Sequence, residues 1–262
     1  MIRRAFGSFG GRKAGARPAD GTQPMPETPV YVVGDIHGRI DLLEILLDRI
    51  ARDRTAQGWD NSATVFVGDY IDRGQDSAGV LARCIELEAD PAVICLMGNH
   101  EAMFLDFMSG DGGDASAILW LRNGGRATLE SYGAALPIRI DGVEMIDDLR
   151  ALARARVPGD IVDWVGRRPL LWTSGDVAVC HATPDPLIPL NELPEDELVW
   201  GRPKPGMPER CDGFWLVHGH TIVRTPRITG RRINVDTGAF ESNILTAAVI
   251  APGAPIRFLD TA

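Results

Sequence analysis

Six residues of the types that bind first-row metal ions stand immediately after apolar runs: Asp35 and His37, then Asp69, Asn99, His181 and His220. One residue separates Asp35 from His37, so a single loop can aim both at one point. Carboxylate, imidazole and amide oxygen together suit divalent manganese, iron or zinc, and no thiolate takes part. The chain holds five histidines. His37, His100, His181, His218 and His220 each follow or lie within a strand–glycine type of junction, and none is expected on a helical face. Two ions about 3.5–4 Å apart, bridged by one carboxylate, form a recurrent centre for cleaving phosphate esters.

Such a cluster needs elements that end at a common edge. Val30–Val33 is an apolar β-branched run ending at Gly34, and Ile40, Leu42, Leu43, Leu46, Leu47 and Ile50 then recur at helical spacing. Thr64–Val67 ends at Gly68 and precedes a second helical stripe, Val80, Leu81, Cys84, Ile85 and Leu87. Val93–Met97 ends at Gly98, with a helix expected from about His100 to Met108. Three βα units imply a largely parallel sheet under helices, whose carboxyl edge gathers ligand-binding residues. Residues 109–168 read as mainly helical and loop-rich. From Leu170 the pattern becomes short strands: a hairpin of Leu170–Trp172 and Val177–Cys180, then Trp215–Val217, Arg232–Val235, Leu245–Ile250 and Ile256–Leu259. The expected fold class is α/β (α+β), with two packed mixed β-sheets flanked by helices. One domain is expected over residues 29–262, behind a disordered basic tail at 1–28.

Composition narrows the field. Hydrophobic residues at 45% and charged residues at 24% are ordinary globular values. A formal charge of −9, from 36 acidic and 27 basic residues, disfavours non-specific nucleic-acid binding, which depends on neutralising phosphates. No apolar run approaches the ~20 residues of a membrane span, and Arg3-Arg4 lack the apolar stretch of a signal peptide. The four cysteines show no CxxC spacing; Cys84, Cys95 and Cys180 read as small core residues, compatible with a reducing cytoplasm.

The segments GDIHG, GDYIDRG, GNHE, CHA and VHGHT resemble, in order and spacing, the phosphoprotein phosphatase family of metallophosphoesterases. The resemblance spans about Tyr31 to Gly238 and is strongest toward bacterial serine/threonine phosphatases and diadenosine tetraphosphate hydrolases. It implies a calcineurin-like fold with two divalent ions, manganese first, iron or zinc otherwise. It implies that Asp35, His37 and Asp69 hold one ion, and that Asp69 bridges to another completed by Asn99, His181 and His220. A metal-bridging hydroxide would then attack phosphorus in line. His100, oriented by Asp72, would protonate the leaving alkoxide, and Arg73 and Arg202 would grip the phosphate. His218 reads as a strand-end support for the metal shell.

Other residues carry weaker readings. Glu101 reads as a brace for its loop; Arg122 and Asn123 read equally as cleft lining or as a structural turn. The acidic run Glu192–Glu197 reads as a solvated loop, and Asn234–Gly238 as scaffolding beneath the site. The expected function is a metal-dependent serine/threonine protein phosphatase, a monomer in the cytoplasm acting on phosphoproteins or small phosphoesters, without nucleic-acid or membrane partners. The alternatives are a symmetrical bis(5'-nucleosyl)-tetraphosphatase, a small-molecule phosphomonoesterase and, remotely, a non-catalytic scaffold of the same fold.

Overall fold

The computed structural model describes residues 23–136 and 143–262. Three apolar strands form first: β1 (Val30–Val33), β2 (Ala63–Phe66) and β3 (Val93–Cys95). They are joined by α1 (Ile40–Gln57) and α2 (Ser77–Leu87), and the chain leaves β3 into α3 (Asn99–Ser109). The middle of the chain supplies α4 (Gly113–Trp120), a π-type turn at Leu121–Gly125, α5 (Arg126–Ser131), α6 (Val143–Arg156) and α7 (Gly159–Gly166). The second half contributes β4 (Leu171–Ser174), β5 (Val177–Cys180), α8 (Glu195–Trp200), β6 (Trp215–His218), β7 (Arg227–Thr229) and β8 (Arg232–Asn234). It closes with α9 (Ala239–Ser242), β9 (Thr246–Ile250) and β10 (Arg257–Asp260).

These strands make two five-stranded sheets, β10-β9-β1-β2-β3 and β4-β5-β6-β8-β7. Strands β1, β2 and β3 run parallel, as do β5, β6 and β8. The remaining pairings are antiparallel, so both sheets are mixed. Val30, Val32, Val65 and Val67 face Val177, Val179, Val217 and Ile233 across the inter-sheet core. The alternate residues of the first sheet, Tyr31, Val33 and Phe66, pack instead on α1, α2 and α3. On the far side Cys180 and Leu216 lie against Leu198 and Val199 of α8. The order helix–sheet–sheet–helix follows from strands apolar on both faces, which must be covered twice. Cys84, Cys95 and Cys180 are buried and free, as their apolar surroundings require.

Three expectations are corrected. The segment before residue 29 is not all tail: residues 1–22 lie outside the described residues, but Met25 and Glu27 pair with Asp176 and Ser174 of the β4–β5 hairpin. His100 does lie on a helix, because Glu101 accepts the Gly98 N–H and starts α3 at Asn99. Glu195, Asp196 and Glu197 form the first turn of α8, where acidic side chains favour the helix dipole. Strand β7 has no apolar signature because it is an exposed edge. Among the described residues no helix is long and apolar enough to cross a membrane.

Candidate metal centre

The parallel strands of both sheets end at one edge, and the six candidate ligands sit on the loops that leave it. Contact across that edge is close. A Cβ on Gly219 would stand 1.9 Å from Asp35 Oδ1, and one on Gly98 would stand 2.2 Å from Asp69 Oδ1. Both positions therefore exclude a side chain. Among the described residues, five of the six non-glycine residues with left-handed backbone lie here: His37, Asp69, Asp72, Arg73 and His220. Such conformations persist only where surrounding structure imposes them.

Glu101 imposes the loop after β2. One carboxyl oxygen accepts the N–H groups of Asp69 (2.8 Å) and Gly98 (3.0 Å), and the other those of Tyr70 (2.9 Å) and Ile71 (3.4 Å). Burial and the Asp69 charge push this carboxyl up to about 8. A proton on it would face one of those donors, so the ionised form is the one that answers all of them. The main chain of Asp69 in turn accepts the N–H groups of Ile36 (3.1 Å) and His37 (2.9 Å), tying the loops after β1 and β2 together.

The imidazoles are oriented from behind. His37 Nδ1 donates to the Ile71 carbonyl at 2.8 Å, and His181 Nδ1 donates to that of Val67 at 3.1 Å. Burial pushes both rings below the ordinary histidine range, so they are neutral and present an Nε2 lone pair to the cluster. His181 Nε2 lies 2.9 Å from Asn99 Oδ1, and His220 Nδ1 lies 2.8 Å from the same oxygen. His37 Nε2 stands 3.5 Å from Asp69 Oδ2, and His181 Nε2 stands 3.4 Å from Asp69 Oδ1. His220 is held neutral, down to about 4, by burial and by His181, and its buried Nε2 has no partner. Burial, Asp236 and Asp69 push the Asp35 carboxyl well up. Buried lone pairs and carboxylates crowded into one cluster are what divalent cations satisfy, so the donor set fits the metals expected of it.

Among the described residues, two groups have donor atoms within 4.8 Å of one another: His37–Asp69–His100 and Asp35–Asp69–His181. Asp69 is common to both. His100 belongs by distance to the first, yet its Nδ1 is committed to Asp72 Oδ2 at 2.6 Å. Asp72 is fully buried and also receives Trp120 Nε1–H (2.9 Å) and Thr128 Oγ1–H (2.5 Å), so its carboxylate is fixed from three sides. The charges of Asp69 and Asp72 outweigh burial and raise His100 above its ordinary value. His218 turns away from the cluster, toward Thr183 Oγ1 (3.2 Å) and the Gly219 carbonyl (3.0 Å).

Arg73 reaches in from the loop after β2, with Nη1 3.1 Å from His37 Nε2 and Nη2 3.1 Å from His100 Nε2. Arg202 is not in the cluster. It is exposed on the wall of a neighbouring cavity with Trp200, Lys204 and Glu197, and its charge reaches His220. The Arg122–Asn123 segment forms a structural turn: Asn123 Nδ2 donates to Leu119 O, and Gly124 O accepts the Arg73 N–H. Sequence reasoning missed Trp120 and Thr128, which no spacing signal connects to Asp72. Asp236, read from the sequence as scaffolding beneath the site, is a buried carboxyl beside Asp35, raised to about 6 by its burial and placed two residues past the end of β8.

Residues 28–224 match the family described as calcineurin-like phosphoesterase. The chain is 30% identical to serine/threonine-protein phosphatase 1 of Salmonella typhimurium, over 84% of this chain and 91% of that protein. It is 27% identical to an asymmetrical bis(5'-nucleosyl)-tetraphosphatase, PrpE, of Oceanobacillus iheyensis, over 83% and 87% respectively. Among solved structures, a cold-active protein-tyrosine phosphatase of a psychrophilic Shewanella shares the fold, with a TM-score of 0.55 and 18% identity over 91% of this chain and 83% of that one.

Proposed function

This chain belongs to the calcineurin-like phosphoesterase family and is a metal-dependent phosphoester hydrolase; on that footing we propose that it removes phosphate from phosphoserine and phosphothreonine in proteins. Asp35, His37 and Asp69 would hold one divalent cation, and Asp69, Asn99, His181 and His220 a second, manganese first and iron or zinc otherwise. Bound there, the cations supply Lewis-acid activation of water near neutral pH and offset the phosphate's charge.

The chain's own residues do the rest. Arg73 places two N–H donors where a phosphate would be clamped, in the planar geometry that suits bidentate binding. Arg202, on the cavity wall, is the second grip. His100 Nε2 faces the same space and delivers a proton to the departing oxygen. Asp72 holds the ring's other nitrogen and fixes which one reacts. That acid is the observation carrying the proposal. A serine or threonine alkoxide leaves poorly without a proton, whereas a nucleotide phosphate leaving a polyphosphate carries its charge with little help. A buried, triply fixed Asp72–His100 pair suits the harder leaving group.

Likeness to PrpE favours a second reading, a dinucleoside tetraphosphate as substrate. The deciding experiment compares kcat/KM on a phosphoserine and phosphothreonine peptide panel with that on diadenosine tetraphosphate. A preference of roughly a hundredfold for the dinucleotide overturns the protein-phosphatase reading. We further propose that the protein acts as a cytoplasmic monomer, independent of nucleic acid and membranes, consistent with its net charge of −9.

A further inference from the structure

Among the described residues, no carboxylate forms an ion pair with the Arg73 guanidinium. An aromatic face takes that place: Arg73 Cζ lies 4.6 Å from the ring centroid of Phe240. The same ring meets His37 edge-on, at 5.4 Å and 85° between planes. Phe240 thus touches both the phosphate-facing arginine and a candidate metal ligand while standing outside the cluster itself.

The turn that carries Phe240 is tied down on both sides. Gly238 enters α9 with φ 66, and its N–H donates to Asp236 Oδ1 at 2.9 Å. Arg39 Nη1 donates to Ala239 O (3.0 Å) and Asn243 Oδ1 (2.7 Å), and Asp41 holds the same guanidinium through Nε (2.8 Å) and Nη2 (2.7 Å). On the opposite flank Gly124 presses against Arg73, where an added Cβ would stand 2.6 Å from its nitrogen and 2.8 Å from its Cγ. The arginine stem is fixed by the π-type turn and its head rests on a phenyl ring.

We propose that Phe240 is a positioning residue that sets the phosphate-gripping pose of Arg73; this rests on the phosphoester-hydrolase reading above. The physical reason is the choice of support. A carboxylate would hold the guanidinium by occupying the N–H edge that a phosphate needs, and it would cancel the charge. A ring face holds the guanidinium plane through its quadrupole without cancelling its charge, and the N–H edge stays turned toward the cluster, against His37 and His100 Nε2. The arginine is then oriented before substrate arrives, and the partners it would exchange for phosphate are two imidazole nitrogens rather than a carboxylate.

The test uses the full-length, manganese-loaded protein and inorganic phosphate, whose affinity is measured calorimetrically without turnover. F240L and F240M should weaken phosphate binding by about three- to tenfold, the usual worth of a partly desolvated cation–aromatic contact. They should raise KM for a phosphopeptide by a similar factor, with kcat within about twofold and metal content unchanged. F240Y and F240W should retain the native affinity. In an R73A background, adding F240L should change nothing more. A structural role alone would lower the melting temperature and kcat without this aromatic rescue. The proposal is overturned if a folded aliphatic variant binds phosphate as tightly as the native chain, if the aromatic variants fail to rescue, or if the loss persists without Arg73. Two aliphatic variants are used so that one unfolded protein does not end the test. A chain that binds phosphate but cleaves no phosphopeptide would sink the substrate reading and leave this one standing.

Discussion

Replacing Glu101 by Gln tests how the site is built, because it exchanges one acceptor oxygen for an NH2 group with almost no change in volume. In the native protein four backbone N–H groups converge on the two carboxyl oxygens, those of Asp69, Gly98, Tyr70 and Ile71. The amide keeps one oxygen and turns an NH2 toward a pair of donors. Two buried N–H groups lose their acceptor, and the new NH2 gains none. Each unsatisfied buried donor costs about 1–3 kcal/mol, so the substitution should cost about 4 kcal/mol. That is a large part of the roughly 5–15 kcal/mol that holds a domain together. The Asp69 and Asp72 backbones, at φ 57 and 72, should relax once released, so metal affinity should fall with stability. The assay is urea unfolding of E101Q and native protein, metal-free and manganese-loaded, with metal content measured alongside. A loss below about 1 kcal/mol, with metal retained, would refute the claim that Glu101 imposes the loop.

Four further outcomes are expected. H100N should lower kcat by about 10²–10⁴ with metal content intact, measured by turnover and elemental analysis; loss of metal as well would make His100 a ligand. D72N should move the alkaline limb of the rate profile to lower pH. His100 acts only when protonated, and activity falls as pH rises through its pKa, which Asp69 and Asp72 together hold above the ordinary 6.5 despite burial; a kcat–pH series with an unmoved limb would contradict that. G98A should abolish metal binding or folding, because its Cβ would meet Asp69 Oδ1 at 2.2 Å; circular dichroism and metal content would report either. Chelation should end hydrolysis and lower the melting temperature, and added manganese should restore both.

How much could be read in advance varied with the range of the interaction. Strands β1, β2 and β3 were legible because each apolar run leads to a glycine before a metal-type residue, though β2 and β3 end at Phe66 and Cys95, one and two residues short of the expected Val67 and Met97. The convergence of five strand ends followed from parallel strands sharing an edge. The motif prefers His220 over His218; His220 Nδ1 lies 2.8 Å from Asn99 Oδ1, whereas His218 faces Thr183. Trp120 and Thr128 escaped because their bonds to Asp72 span 48 and 56 residues, and neither sits in a motif. The acidic start of α8 looked like a solvated loop, since a two-turn helix leaves little periodicity to detect. Arg202, expected to grip the phosphate, is exposed on the wall of an adjoining cavity, with its charge reaching His220.

The left-handed residues have one more consequence. His37, Asp69, Asp72, Arg73 and His220 each occupy a conformation that glycine adopts freely, at about 1–2 kcal/mol apiece for any other side chain. Left to selection for durability alone, these positions would drift first, toward glycine or asparagine, and each step would make the fold hardier and the enzyme worse. Descendants released from catalysis should therefore be recognisable at these five sites before their cores show any change.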